Sequence, residues 1–146
     1  MSIERQVYSV TTVTANRESV FQSFELGWKV VSEMRKLHEE GYVESLAYVV
    51  MPDHLHWMFQ LCEKESLSQL MKRLKGRSAM AIVKATGRKG SIWQKGFHDH
   101  GIRKEEDLKT LARYIIANPL RAGLVNQIGD YPLWDAVWIV SDNSEL

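Results

Sequence analysis

The chain has 146 residues, 45% apolar and 25% charged, which is long enough for one domain with a buried core. Its single cysteine, Cys62, excludes an intramolecular disulfide framework and a zinc site built from several cysteines. No apolar run approaches the roughly 18 residues that cross a bilayer, and the first residues lack the apolar segment of a secretory signal. We therefore expect a cytoplasmic protein without a membrane partner.

The net charge of +1 conceals a strongly basic middle third. Residues 66–104 carry ten lysines and arginines and a single acid, Asp99, whereas both flanking segments are acidic. A basic face on a nearly neutral protein favours a polyanion such as nucleic acid as its partner. The alternative, that the charge marks only a solvated helix surface, stays open at this point.

In chain order, β-branched and alternating residues over 6–13 predict the first strand. Apolar residues three to four positions apart over 17–40 then predict a long amphipathic helix. Residues 42–51 and 54–61 predict two further strands, and the turn between them is short enough to make them a hairpin. The first half of the chain is therefore a βαββ unit.

A capping box at Ser66–Gln69 opens the second helix, which a basic glycine loop over residues 87–90 ends. Residues 97–103 predict a fourth strand. Acidic residues from Glu105 suit the start of a third helix, which runs to about Ala117.

The order βαββαβ followed by a helix predicts an α+β fold, namely a ferredoxin-like (RRM-like) sandwich with an antiparallel sheet. Two helices cover one sheet face, and the other is open unless the C-terminal helix crosses it. We expect a helical turn over 119–123 and a packing tail that contains Trp134 and Trp138. Residues 1–140 should form one domain, and residues 141–146 should be a loose tail.

Alternation in the third strand places His54 and His56 on one face, opposite the apolar Leu55 and Trp57. Two imidazoles side by side on a strand can share one divalent ion, with Asp53 orienting them from the turn. The alternatives are two polar residues on a solvated face or one structural histidine.

His98 and His100 form a competing pair with the same spacing on the fourth strand. The residue between them is the charged Asp99, so this strand is a poorer rigid support than the one that carries Leu55 between its histidines. We therefore favour the earlier pair as metal ligands and assign His98 and His100 to phosphate contacts or support of the site.

On the third helix, Tyr114 lies beside the apolar stripe rather than within it, and Asn118 follows one helical turn later. Packing of an amphipathic tyrosine is one interpretation, and Asn118 before Pro119 is suited to cap the next helical turn. The other interpretation combines tyrosine, divalent ion and basic flank into a site that cleaves phosphodiesters.

Three ordered motifs resemble one family. They are YVVMPDHLHW at residues 48–57, WQKGFHDH at 93–100 and YIIANPLRAGLV at 114–125, with Trp134–Trp138 similar to the family's tail. The family is the REP-associated tyrosine transposase branch of the single-tyrosine HUH transposases, and the resemblance extends over nearly the whole chain.

The resemblance implies an enzyme in which Tyr114 is the nucleophile and His54, His56 and Asn118 hold Mg²⁺ or Mn²⁺. Tyr114 would attack single-stranded DNA, leave a 5′-phosphotyrosine and a free 3′-OH, and allow another 3′-OH to rejoin the strands. The implied substrates are repetitive palindromic elements that fold as hairpins. A monomer is favoured, and a dimer remains an alternative. We expect DNA contacts from Lys72, Arg73, Arg88, Lys89, Lys95, His98, His100, Arg103 and Arg121.

A second hypothesis is a non-catalytic module that binds repeat DNA or RNA on the same fold. The presence of His54, His56 and Tyr114 together favours the enzyme. A replication initiator or relaxase of the wider HUH superfamily fits less well, because the chain is short and its helix carries no second tyrosine.

Overall fold

The computed structural model describes residues 6–102 and 105–137. Arg103, Trp138 and the expected loose tail over residues 141–146 lie outside the described residues. Within the described ranges, no helix combines the length and the apolar character that crossing a membrane requires.

The described residues form five strands and four α-helices. The strands are β1 (Val7–Val13), β2 (Val43–Met51), β3 (His54–Leu61), β4 (His98–Ile102) and β5 (Trp134–Ala136). The helices are α1 (Phe24–Glu39), α2 (Leu67–Thr86), α3 (Glu105–Ile116) and α4 (Asn118–Arg121). The predicted α+β architecture, βαββαβ followed by a helix, is confirmed.

One antiparallel sheet holds the strands in the order β4-β1-β3-β2-β5. Strand β5 is a departure from the sequence prediction, which placed Trp134 in a packing tail. Ala136 lies opposite Ala47 of β2, and Trp134 lies opposite Val49. Three residues are too few to show an alternating pattern, so pairing with β2 defines this strand rather than its own propensity.

The first helix is shorter than the predicted span of 17–40, because α1 begins only at Phe24. Two short 3-10 turns precede it. Asn16 and Arg17 both have left-handed backbone conformations, with φ of 57° and 53°. Such residues interrupt a right-handed helix, so the helical apolar spacing begins before the helix itself does.

Helix α2 begins and ends at the signals that the sequence predicts. Ser66 Oγ accepts a hydrogen bond from the Gln69 backbone N–H at 3.2 Å, and Gln69 Oε1 accepts one from the Ser66 N–H at 3.0 Å. At the other end Gly87 adopts φ of 72°, a left-handed conformation that glycine accepts without strain.

Different helices cover the two faces of the sheet. Leu55, Trp57 and Phe59 of β3 are fully buried on the face that packs against α1 and α2. The alternate residues of β3 point to the other face, which α3 crosses near β2, β3 and β5. Met58 on that face and Ile115 of α3 are also fully buried. The second face is thus partly covered, and we call it the histidine face because His54 and His56 lie on it.

Candidate functional site

The two histidines of β3 project side by side from the histidine face, as strand alternation predicts. His54 lies opposite Met51 of β2, and His56 lies opposite Val49. Both side chains are partly buried. On the other side of β3, Val13 of β1 lies opposite His54 and Thr11 lies opposite His56.

His54 is held by a carboxylate at the β2–β3 turn. Its Nδ1 donates to Asp53 Oδ1 at 2.8 Å, and the Arg17 guanidinium donates to Asp53 Oδ2 at 3.2 Å. Burial alone raises the pKa of the Asp53 carboxyl, but the hydrogen bonds from His54 and Arg17 hold it below its ordinary value. Asp53 is therefore ionised at neutral pH and fixes the tautomer of His54 that leaves Nε2 as a lone-pair donor.

His56 is held by β1, because its Nε2 lies 3.1 Å from Ser9 Oγ. Burial lowers the pKa of His56 to about 4, and electrostatic interaction with His54 and Arg121 adds to this effect. The ring is therefore neutral at physiological pH and retains a lone pair. Ser9 and Arg17 were not among the residues that sequence reasoning singled out, because only the folded chain places them beside the histidines.

This donor set fits a divalent cation. One ring nitrogen of each histidine is engaged by Asp53 or Ser9, and the second can coordinate a metal ion. Among the described residues, no group of three or more His, Cys, Asp and Glu side chains gathers at one point, so a further ligand would be of another type. Imidazole is a weak ligand for Mg²⁺, which prefers oxygen, so the pair favours a first-row transition ion such as Mn²⁺.

Tyr114 lies on α3 with 57% of its surface exposed. The guanidinium carbon of Arg121, on α4, stacks 3.7 Å from the centroid of its ring, and Arg121 also donates to the Tyr114 backbone carbonyl at 2.7 Å. The same guanidinium contributes to the lowered pKa of His56. Arg121 thus connects the tyrosine helix electrostatically with the histidine pair.

The other four tyrosines are poor candidates for a nucleophile. Tyr131 is buried and donates its hydroxyl to the Val50 carbonyl at 2.5 Å, and burial raises its pKa to about 12. Burial likewise raises the pKa of Tyr48 to about 12. Tyr8 packs against Phe59, and the ring of Tyr42 lies under two basic side chains. All five tyrosines lie in the described ranges, and only Tyr114 presents most of its side chain to solvent.

Asn118 is the first residue of α4, and the N-cap position belongs to Ala117. No side-chain hydrogen bond caps this helix, so the interpretation of Asn118 as an N-cap is wrong. The reason is that the helical turn starts one residue earlier than the position of Pro119 suggests. The partly buried side-chain amide of Asn118 is therefore not used in capping.

His98 and His100 lie on the same face as His54 and His56. Thr11 of β1 pairs with His98 on one side and with His56 on the other, so His98 and His56 are two strands apart. At the usual strand spacing their backbones are roughly 10 Å apart. Both histidines of β4 are exposed, so they extend the polar surface around the buried pair.

The basic residues of α2 and its following loop lie away from this face or are already paired. Arg73 forms two hydrogen bonds to the Glu65 carboxylate, at 2.9 and 3.0 Å, and Arg88 contacts Glu18 Oε1 at 2.6 Å. The remaining expected DNA contacts from this region are exposed; they are Lys72, Lys89 and Lys95. Helix α2 packs behind the sheet, so the structure does not bring Lys72 and Arg73 to the histidine face.

Comparison with known proteins matches residues 2–118 to a family model described as transposase IS200 like. A REP-associated tyrosine transposase of Escherichia coli strain K12 is 33% identical over 98 residues, which are 66% of this chain and 56% of that protein. The chain therefore spans little more than half the length of that relative. A solved structure of a REP-associated tyrosine transposase bound to a REP hairpin superposes with a TM-score of 0.77 at 26% identity, over 98% of this chain and 84% of that one.

Proposed function

Because the chain belongs to the IS200-like transposase family, we propose that it cleaves and rejoins single-stranded DNA through a covalent bond to Tyr114. The observation that carries the proposal is the pairing of the exposed Tyr114 with Arg121, whose charge also reaches His56. Three parts would then act on one phosphodiester: Tyr114 as the nucleophile, Arg121 as a cation that attracts phosphate, and the histidine pair as metal ligands.

The proposed substrate is a DNA hairpin formed by a repetitive palindromic element, with the cleaved phosphodiester in a single-stranded segment. Its support is the similarity to the transposase that was solved with a REP hairpin and to the Escherichia coli relative. We propose that residues 1–140 form one transposase domain that acts as a monomer.

In this proposal His54 and His56 hold Mg²⁺ or Mn²⁺, and the side chain of Asn118 supplies a neutral oxygen as a third ligand. A bound divalent ion would polarise the scissile phosphate and neutralise charge on its non-bridging oxygens. Asp53 keeps His54 in the tautomer that coordinates, and Ser9 restrains the His56 ring. The chain's own contribution is thus a pair of oriented imidazoles.

Tyr114 Oη attacks the phosphorus atom and loses its proton, while the bond from phosphorus to the 3′ oxygen breaks and that oxygen gains a proton. The products are a 5′-phosphotyrosine and a free 3′-OH, and attack by another 3′-OH reverses the step and rejoins DNA. Arg121 fixes the ring by stacking and places a positive charge near the phosphate. His98 and Lys95 are proposed to contact the flanking backbone from β4 and the loop before it.

The test is covalent adduct formation with a hairpin oligonucleotide that carries a single-stranded tail, in the presence of Mn²⁺. The wild type should yield a protein–DNA adduct that survives denaturation, and Tyr114→Phe should yield none while binding the hairpin equally well. Tyr42→Phe is the matched control and should still form the adduct. An adduct on Tyr114→Phe would contradict the assignment, and a wild type that only binds would support the non-catalytic module instead.

A further inference from the structure

An open groove of about 540 Å³ runs between β4 and α3 on the histidine face. Its lining residues on β4 and α3 are His100, Gly101, Ile102, Asp107, Thr110, Leu111 and Tyr114. The helix residues are three to four positions apart, so they form one stripe roughly 10 Å long. We call this feature the β4–α3 groove.

The groove has an apolar floor and polar edges. Ile102 is only 7% exposed and Leu111 is partly buried, whereas the side chains of His100, Asp107 and Tyr114 are exposed. Aromatic rings above an apolar floor suit a planar nucleobase, which stacks on them regardless of its identity. The groove is therefore shaped for a base rather than for the sugar-phosphate backbone.

Charge supports the same occupant. The Asp107 carboxylate repels a phosphate, so the backbone of a bound strand is expected to run outside the groove. Tyr114 lines the groove and is also the proposed nucleophile, so a strand whose phosphate meets its hydroxyl has an adjoining base within reach of the groove. The nucleotide next to the cleaved phosphodiester is therefore the one that can place its phosphate at the Tyr114 hydroxyl and its base in the groove.

We propose that the β4–α3 groove is a specificity pocket for the nucleobase that adjoins the phosphate attacked by Tyr114, an inference that rests on the proposed function. Asp107 is the residue that selects the base, because a carboxylate accepts hydrogen bonds and cannot donate them when ionised. Cytosine, adenine and guanine each offer an exocyclic amino group. Thymine offers only its ring N3–H, which lies between two carbonyl oxygens that repel a carboxylate. Asp107 therefore disfavours thymine at this position.

The experiment uses a hairpin oligonucleotide with a randomised single-stranded tail, incubated with the whole chain and Mn²⁺. The DNA in covalent adducts and the released strands are sequenced to give base frequencies on both sides of the cut. The wild type should disfavour thymine at one flanking position, and Asp107→Asn should raise the frequency of thymine there about tenfold, because the amide offers a donor. Unchanged frequencies in Asp107→Asn would overturn the proposal.

Asp99→Asn is the matched control, since Asp99 is also exposed but lies on the sheet face away from the groove. It pairs across the strands with Val10, which lies on that same face. The variant makes the same change in charge and should keep the wild-type preference. An equal shift in both variants would mean that charge alone, and not the groove, sets the preference.

A photocrosslinking measurement separates failure of the groove from failure of the cleavage chemistry. A deoxycytidine octamer with one 5-iododeoxycytidine, a base that keeps the exocyclic amino group, is irradiated with Tyr114→Phe, which needs no cleavage to bind. Crosslinks should map to the segments His98–Ile102 and 107–114. Crosslinks confined to other peptides would overturn the proposal that the groove binds a base, whether or not the wild type cleaves DNA. Crosslinks in the groove segments, together with no covalent adduct in the wild type, would count against the proposed cleavage alone.

Discussion

Replacement of Asp53 by alanine should weaken metal binding far more than it weakens the fold. The carboxylate accepts from His54 Nδ1 at 2.8 Å and from Arg17 at 3.2 Å, and Asp53→Ala removes both hydrogen bonds. Loss of a carboxylate behind a metal-binding histidine typically reduces metal affinity about 10- to 100-fold. This range corresponds to about 1.4–2.7 kcal/mol.

The stability of the fold should change much less. The side chain of Arg17 is 67% exposed and that of Asp53 27%, so their ion pair is screened by water and contributes less than about 1 kcal/mol. Calorimetric titration of Mn²⁺ into wild type and Asp53→Ala measures the loss of metal affinity, and urea unfolding of the same proteins measures the change in stability. Asp53→Asn keeps an oxygen acceptor for His54 and should lose less affinity than Asp53→Ala.

Asp99→Ala is the control for the removal of an acid, because Asp99 faces away from the histidine pair. It should bind Mn²⁺ as the wild type does. Equal Mn²⁺ affinity in wild type and Asp53→Ala would refute the positioning role of the carboxylate. Absence of Mn²⁺ binding in the wild type would refute the metal assignment itself.

Two further predictions concern DNA affinity and the packing of α3. Changing Lys72, Arg73, Arg88 and Lys89 to alanine should reduce the slope of log affinity against log salt by about 0.7–0.9, as expected for one phosphate contact from Lys89, because Lys72 lies behind the sheet and Glu65 and Glu18 already neutralise the two arginines. A reduction near 3, measured by fluorescence anisotropy of a labelled hairpin at several NaCl concentrations, would contradict this reasoning. Ile115→Ala should lower the free energy of unfolding by about 2–5 kcal/mol, since Ile115 is fully buried between α3 and the sheet. The exposed Leu120→Ala is its control in urea denaturation, and a loss below about 1 kcal/mol for Ile115→Ala would show that α3 does not pack as described.

Local sequence signals were sufficient for most of the fold. The Ser66–Gln69 capping box and the alternation of β3 predicted α2 and β3 at their observed bounds, because both signals depend only on neighbours along the chain. The start of α1 could not be predicted in the same way. Its apolar spacing begins before Phe24, and the left-handed Asn16 and Arg17 directly follow a segment whose backbone is hydrogen-bonded to the distant Asp53 and Ile92.

The site was predictable only in part for a similar reason. The shared face of His54 and His56 follows from spacing on one strand. That His98 lies on the same face depends on the register of β4 with β1 and of β1 with β3, which no local pattern encodes. The stacking of Arg121 on Tyr114 and the β4–α3 groove likewise arise from the path of α3 across the sheet.

The central claim is that Tyr114 forms the covalent bond to DNA, and peptide mapping of the adduct tests it most directly. The wild type is reacted with a tailed hairpin and Mn²⁺, the DNA is trimmed with nuclease, and the tryptic peptides are sequenced by mass spectrometry. We predict a nucleotide phosphate on the peptide that runs from Tyr114 to Arg121, and on Tyr114 within it. A nucleotide on a peptide that contains Tyr8, Tyr42, Tyr48 or Tyr131 instead would contradict it.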